Sequence, residues 1–437
     1  MRDAWDSLPV NVQDGLVALV WALPLLVVGA LLLRGLAPWP LVRALLVRFR
    51  VPVALFVLLI AVSVGTGISL VALERGLRAG TARAADQFDL IVAAPGSDIT
   101  ALMATVFLQP SDMPLLDGAT WAEVTGHPAV SFAAPLAFGD SAGGAPVVGT
   151  TANFLDHLAE GAIEGRVWTA HEEAVVGADT PFAIGDALHP AHGVGDFADT
   201  EAHGDHEYRV VGRMARTGSP WDRAVLVPIE TVWEAHDLPI GHAPARAEQI
   251  GPPFDAALFP GTPAILLRGH TLADTYGLRS AFQGTEETMA FFPGTVLSRL
   301  YDVLGDMRQI VSVLTLVTQV LVAAAVLTGF ALLTRLIRRQ MALLRALGAP
   351  ARFVVAVVWS LAVTLMASGA ALGVVLAIGL VAALASIVGA RAGLAVDVSL
   401  GLPDVTLALA FVSLASLIAL LPALSMRRQD IVAGLRG

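Results

Sequence analysis

Long apolar blocks interrupted by one extended polar stretch organise this chain. Five runs, residues 16–33, 51–71, 310–333, 353–388 and 405–421, are almost free of charge. A helix needs about 20 residues, with a range of about 17 to 25, to cross a hydrocarbon core of about 30 Å, so each run predicts a membrane helix. The fourth exceeds one crossing and predicts a helix that tilts, extends beyond the bilayer or bends. Between the second and third runs, residues 74–306 are polar, rich in Gly and Pro, and broken into short alternating segments. That pattern predicts a water-soluble domain of strands, turns and short helices.

Composition supports a bilayer. The 437 residues are 56% hydrophobic and 15% charged with a mean hydropathy of +0.71, against about 25% charged in soluble domains. Charge then sets the orientation. Residues 74–306 hold 31 acidic residues against 12 arginines, a net charge of −19, whereas the whole chain carries −10, so the membrane part is basic. Its arginines form three clusters: Arg34, Arg43, Arg48 and Arg50; Arg335, Arg338, Arg339, Arg345 and Arg352; and Arg427, Arg428 and Arg436. Short basic loops stay cytoplasmic, and five crossings put all three clusters on one side. The large acidic domain then lies on the opposite face, the periplasm if the membrane is the inner membrane of a Gram-negative cell. Only Arg391 falls in the short loop 389–403 on that face. The first run has three readings: a crossing, an interfacial helix with Trp21 and Trp39 at headgroup level, or a signal segment. Asp3, Asp6 and Asp14 against Arg2 do not suit the basic start of a signal peptide.

Several chemistries are excluded or weakened. All 27 basic residues are arginine, so no Walker A lysine exists, and H-E-x-x-H is absent. The chain is therefore expected not to be an enzyme and to bind no cofactor for catalysis, ATP hydrolysis coming from a partner. Gly139-Asp140-Ser141-Ala142-Gly143 matches G-x-S-x-G. Gly144 and Pro146 follow where a nucleophile elbow needs a helix, which predicts a hairpin instead. With no cysteine there is no disulfide framework. The apolar runs lack the midplane acids or histidines of ion-coupled carriers, Thr318 and Gln319 being their most polar residues. Thr217-Gly218-Ser219-Pro220-Trp221-Asp222-Arg223 reads either as a turn with a partner-contacting tip or as a hairpin closed by a buried Trp.

Three stretches resemble the FtsX/MacB family of ABC transporter permeases, the type VII, mechanotransmission class. Arg338-Arg339-Gln340-Met341-Ala342-Leu343-Leu344-Arg345-Ala346-Leu347-Gly348 is similar to its cytoplasmic segment with a Leu-Arg-Ala-Leu-Gly turn, although the family usually carries an acid where Gln340 stands. The tail from Leu421-Pro422-Ala423 to Gly434-Leu435-Arg436 resembles its basic C-terminus. Gly165-Arg166, Val175-Val176-Gly177, Gly185-Asp186, Val210-Val211-Gly212 and Val227-Pro228 resemble the strand-and-turn order of its mixed α/β domain, with 88–92 as first strand.

The resemblance implies a polytopic α-helical membrane protein: four core transmembrane helices, one extra N-terminal helix and a large periplasmic mixed α/β domain of the MacB type. Expected divisions are 1–36, the extra helix; 37–73, a basic segment and first core helix; 74–306, the periplasmic domain; and 307–437, the remaining three helices. The coupling helix at 338–348 would engage the ATPase through Arg338, Arg339, Gln340, Met341, Leu344, Arg345 and Gly348. Residues 295–336 would run as one lever. Implied partners are an ABC ATPase subunit dimer, a second permease copy forming a homodimer, a periplasmic protein and the lipid bilayer; nucleic acid is not among them. Cargo export or extraction is one reading, and an FtsX-like signalling module that regulates a periplasmic partner without transport is the other. Gly369, Gly373 and Ala377 form a small-residue stripe for close helix packing, within the chain or between copies.

All ten histidines lie between residues 127 and 270. His189, His192, His203 and His206 form two H-x-x-H pairs among Asp and Glu, a donor set that suits zinc. The competing reading is a solvated acidic loop.

Overall fold

The computed structural model describes residues 8–109, 111–192, 207–302, 324, 328–330, 334–335, 337–392 and 400–427. Most of the apolar run 310–333 and of the lever 295–336, and the tail from Arg428 onward, lie outside the described residues, as do His203 and His206 and the side chain of His192.

In chain order, the elements are helices α1 (Val10–Leu33), α2 (Trp39–Arg48) and α3 (Arg50–Asp86), then strand β1 (Leu90–Ala93) with α4 (Asp98–Thr105) and α5 (Gly118–Gly126). Strands β2 (Val130–Ala142) and β3 (Ala145–Thr150) lead to α6 (Ala152–Ala159), followed by β4 (Ile163–Gly165), β5 (Glu173–Val176), β6 (Ala187–Leu188), β7 (Ala191–His192), β8 (Tyr208–Met214) and β9 (Val225–Pro228). After α7 (Ile229–Ala235) come β10 (Ala264–Gly269), α8 (Leu272–Phe282) and β11 (Met289–Phe291); α9 (Arg338–Ala346), α10 (Ala351–Ala392), α11 (Leu402–Ile418) and α12 (Leu420–Arg427) close the chain.

Two compact units result: Met1–Gly76 with Arg308–Ser386 and Asp397–Gly437, and Leu77–Met307 with Ile387–Val396. In the second, the described strands form one sheet in the order β11-β1-β10-β2-β3-β9-β5-β8-β4, with β6 paired to β8 and β7 to β2. Most pairs are antiparallel, but β3 runs parallel to β9 and β5 to β8, so the sheet is mixed. Both faces are buried: Ile91, Ala93 and Leu226 enter one apolar core and Leu90, Val92, Val225 and Val227 the other. Strands covered on two sides read as unbroken apolar runs, which is why 90–93 and 225–228 show no alternation. Trp221 is fully buried, stacked edge-on with Phe154 at 4.9 Å and beside Phe88 at 5.9 Å, so its turn is a core element.

The first unit is helical. Four helices among the described residues are long and apolar enough to cross a membrane: Asn11–Leu33, Arg50–Asp86, Ala351–Gly389 and Leu402–Arg427. The helix begun by the second apolar run extends to Asp86, well past the end of that run at 71, because Glu, Arg, Leu and Ala sustain a helix after the unbroken apolar run has ended. The long fourth run is one helix from Ala351 to Ala392. Helix α1 lies against α11 and also meets α10, where Gly29 faces the Trp359 ring and Arg352 Nη2 donates to the Arg34 carbonyl at 2.7 Å.

Candidate functional site

Helix α9 ends in two stacked backbone hydrogen bonds: Gly348 N–H donates to the Arg345 carbonyl at 3.0 Å and Ala349 N–H to the Leu344 carbonyl at 3.0 Å. This is the Schellman arrangement, which requires a left-handed residue just after the helix, and Gly348 supplies it with φ +98°. The sequence Leu-Arg-Ala-Leu-Gly is thus a helix stop whose last residue meets a backbone demand.

The helix divides its apolar residues between two environments. Met341 is 2% exposed and, with Ile337, packs into the same core as Val42 and Leu45 of α2 and Ala423 and Met426 of α12; Leu344 lies against that core. Leu343 and Leu347 point outward, 47% and 85% exposed, alongside exposed Arg338 and Arg339. Gln340 is half-buried, and Arg345 reaches the Arg427 carbonyl at 3.4 Å. Of the residues expected to engage an ATPase, Met341 and Leu344 therefore anchor the helix in its own unit. Leu343 and Leu347, four residues apart and on one face, carry the outward apolar surface.

The small-residue stripe also has a definite neighbour. A methyl group on Gly369 would meet Ile60 at 2.6 Å, and one on Gly373 would meet the Ala61 carbonyl at 2.9 Å. One on Gly65 would in turn meet the Gly373 carbonyl at 2.9 Å and the Ala377 nitrogen at 3.7 Å. The stripe thus packs within the chain against a second one, Ala61-x-x-x-Gly65-x-x-x-Ser69 on α3. That partner stripe was legible in the sequence at the same four-residue spacing, which brings helix backbones close in lipid.

At the start of α11, Asp404 is fully buried. It accepts from Arg75 Nη2 at 2.6 Å and Nη1 at 3.3 Å, and from the Gly401 N–H at 2.8 Å. Neither residue was singled out by sequence reasoning, although an acid just inside a helix start after Gly-Leu-Pro is a capping signal.

In the sheet unit, three His–carboxylate contacts surround α7: His171 Nδ1 to Glu234 at 3.6 Å, His236 Nε2 to Asp140 at 3.7 Å, and His242 Nε2 to Glu230 at 3.4 Å. Glu230 and His242 have no exposed side-chain surface. Burial raises the Glu230 carboxyl above its usual range, opposed by its hydrogen bonds from backbone amides including Gly251 at 2.5 Å. Of the four histidines expected to hold zinc, His189 follows β6 and His192 ends β7, opposite Asp140 on β2. Among the described residues no three His, Asp or Glu side chains converge as a metal site.

The G-x-S-x-G string forms no nucleophile elbow. Strand β2 continues through Ala142 and turns into β3 at Gly143 and Gly144, both at positive φ, +54° and +82°, the requirement of a tight two-residue hairpin. Ser141 sits inside a strand, 2% exposed, with no helix after it.

No curated protein matches this chain in sequence. Among solved structures, it is similar to the periplasmic region of MacB from Actinobacillus actinomycetemcomitans, at 10% identity over 49% of this chain and 95% of that one, with a TM-score of 0.30. It is also similar to the extracellular domain of the noncanonic ABC-type transporter YknZ from Gram-positive bacteria, at 9% identity over 46% and 98%, with a TM-score of 0.27. Residues 53–249 match the family of the MacB-like periplasmic core domain. Residues 53–249 thus carry a MacB-like periplasmic core domain, in a chain whose described residues include four helices long and apolar enough to cross a membrane.

Proposed function

We propose that this chain is the permease subunit of an ABC transporter complex in the inner membrane, two copies pairing with two subunits of a separate ATPase. ATP-driven motion enters at α9 and passes to the periplasmic domain, which acts on a periplasmic or membrane cargo; no substrate needs to pass through the bilayer. The observation that carries this reading is the division of labour in α9. Met341 fixes the helix to its own unit, the Gly348 turn ends it sharply, and Leu343 and Leu347 stand outward beside Arg338 and Arg339. An apolar pair ringed by cations suits a groove that is hydrophobic at its base and acidic at its rim. The absence of lysine leaves the chain without a Walker A motif and assigns hydrolysis to the partner.

The test is ATP hydrolysis by the ATPase reconstituted with the permease in nanodiscs. The double variant Leu343→Asp, Leu347→Asp is expected to reduce permease-dependent hydrolysis by about tenfold or more, as loss of central apolar contacts does at interfaces. Leu272→Asp, on an exposed leucine of the sheet unit, is the control. Unchanged stimulation in the double variant would overturn the placement of the ATPase on α9.

A further inference from the structure

Helix α2 divides into two faces. Val42 and Leu45 are buried, and Leu41 and Leu46 half-buried, in the core that also holds Met341 of α9 and Ala423 and Met426 of α12. The other half of the helix carries two rows of residues four apart, Trp39-Arg43-Val47 and Pro40-Ala44-Arg48, and all six are exposed. Trp39 and Val47 are 55% and 67% exposed, so apolar surface stands outward beside the cations. An open hollow of about 580 Å³ runs along this face, lined by Pro40, Arg43, Ala44, Val47 and Arg48.

The charge of this face is unanswered within the chain. Arg43 and Arg48 enter no ion pair or side-chain hydrogen bond among the described residues. No Asp or Glu occurs in residues 15–73 or in residues 307–396, so α2, α9 and α10 hold no carboxylate to offer them. An anion that meets both arginines comes from outside the chain.

The path of the chain ties this face to a membrane surface. Phe49 alone separates α2 from α3, and five residues, 34–38, separate it from α1. Both neighbours are long and apolar enough to cross a membrane. Five extended residues reach at most about 18 Å, so neither end of α2 strays far from the headgroups. The preference of basic loops for the cytoplasmic side is met by arginines anywhere between the two helices; it does not require them on one face with Trp39 and Val47. Tryptophan at headgroup depth, among cations and an aliphatic side chain, is the make-up of an interfacial helix. A soluble anion would leave Trp39 and Val47 in water, whereas a lipid meets the charged and the apolar demand together. A zwitterionic headgroup brings its own cation toward Arg43 and Arg48, so a net negative headgroup suits them better.

We propose that the outer face of α2 is a binding site for an anionic phospholipid, its phosphate held between Arg43 and Arg48 and its apolar part beside Trp39 and Val47. The core shared with α9 and α12 holds the arginines on a fixed helix. The site rests on α1 and α3 crossing the membrane and does not depend on where the ATPase docks.

Native mass spectrometry of the full chain in neutral detergent counts bound lipids one at a time. The probes are dioleoylphosphatidylglycerol and dioleoylphosphatidylcholine, which share their acyl chains and differ in net charge. The first phosphatidylglycerol is expected to bind about tenfold or more tighter than the first phosphatidylcholine, as two arginines near a headgroup supply. Arg43→Gln with Arg48→Gln is expected to abolish that preference. Arg43→Lys with Arg48→Lys is expected to retain it, which separates lost charge from lost fold. Arg338→Gln with Arg339→Gln, an equal loss of charge on α9, is expected to retain it as well. The proposal is overturned by equal binding of the two lipids to the wild type, by equal loss in the α2 and α9 glutamine pairs, or by loss in the lysine pair. Displacement of the lipid by inorganic phosphate would make this a soluble-anion site and overturn it too. So would an α2 glutamine pair that keeps the lipid preference but no longer assembles with the ATPase, which would give the face to that partner.

Discussion

Arg75 and Asp404 meet end-on, the two terminal guanidinium nitrogens against two carboxylate oxygens at 2.6 and 3.3 Å, although 329 residues separate them. The same carboxylate receives the Gly401 N–H, so one buried acid both caps α11 and ties it to α3.

Breaking this pair leaves an uncompensated charge, which costs about 3–5 kcal/mol where the site is buried; half-exposed Arg75 places Arg75→Met toward the low end. Asp404→Ala loses cap and pair together, whereas Asp404→Asn keeps an acceptor for Gly401. Thermal unfolding in detergent is expected to rank them with Asp404→Ala the less stable of the two Asp404 variants. Equal midpoints for all variants and the wild type would remove the pair from the stability of the membrane unit.

Gly373→Leu should disrupt the contact between α3 and α10, since its first side-chain carbon already meets the Ala61 carbonyl at 2.9 Å. Overpacking of this kind costs about 1–3 kcal/mol. Gly379→Ala on the same helix has nothing within 4 Å and is expected to be neutral or mildly stabilising by helix propensity. Unfolding midpoints of the two variants give the comparison.

Glu173 gives the sheet unit an acid limit. Its hydrogen bond from Arg166, above all, and those from the Thr169 and Ala170 amides hold the carboxyl near about 2, against a usual 4.5. A folded-state value below the unfolded one stabilises above the unfolded value, and that contribution fades as pH falls from about 4.5 toward about 2. The midpoint difference between wild type and Glu173→Gln is therefore expected to be largest above pH 5 and to shrink toward zero near pH 2. A difference that stays constant across this range would show that the pair does not act through charge.

Zinc binding to His189, His192, His203 and His206 is tested by titrating the full chain and its four-alanine variant. The zinc reading expects micromolar or tighter uptake, as is ordinary for imidazole sites, lost in the variant. Identical titrations would return the tract to a solvated acidic loop.

Much of this architecture was legible because it rests on patterns that one element can express alone. Unbroken apolar strands such as 90–93 and 225–228 announce a sheet covered on both faces, and Gly143-Gly144 announces a hairpin. What was not legible depends on a second element. Nothing in the sequence around Met341 says that α2 and α12 would claim it and leave Leu343 outside, because apolar residues occur on more than one side of α9. Hydropathy likewise marked the end of α3 near Val71 because it measures affinity for lipid, while the helix runs on to Asp86. Arg75 and Asp404 drew no reading in the sequence, because their pairing exists only where two helices 329 residues apart meet.

The sheet has one further property, set by its margins. Its outermost strands in the described residues, β4 and β11, are three residues each, and the border beyond β8 is shared between β4 and the two-residue β6. Unpaired strand borders template the addition of foreign strands, and short, interrupted ones do so poorly. Neighbouring copies concentrated in one membrane are thereby denied a ready route to aggregate through this domain, a safeguard that side-chain chemistry alone would not provide.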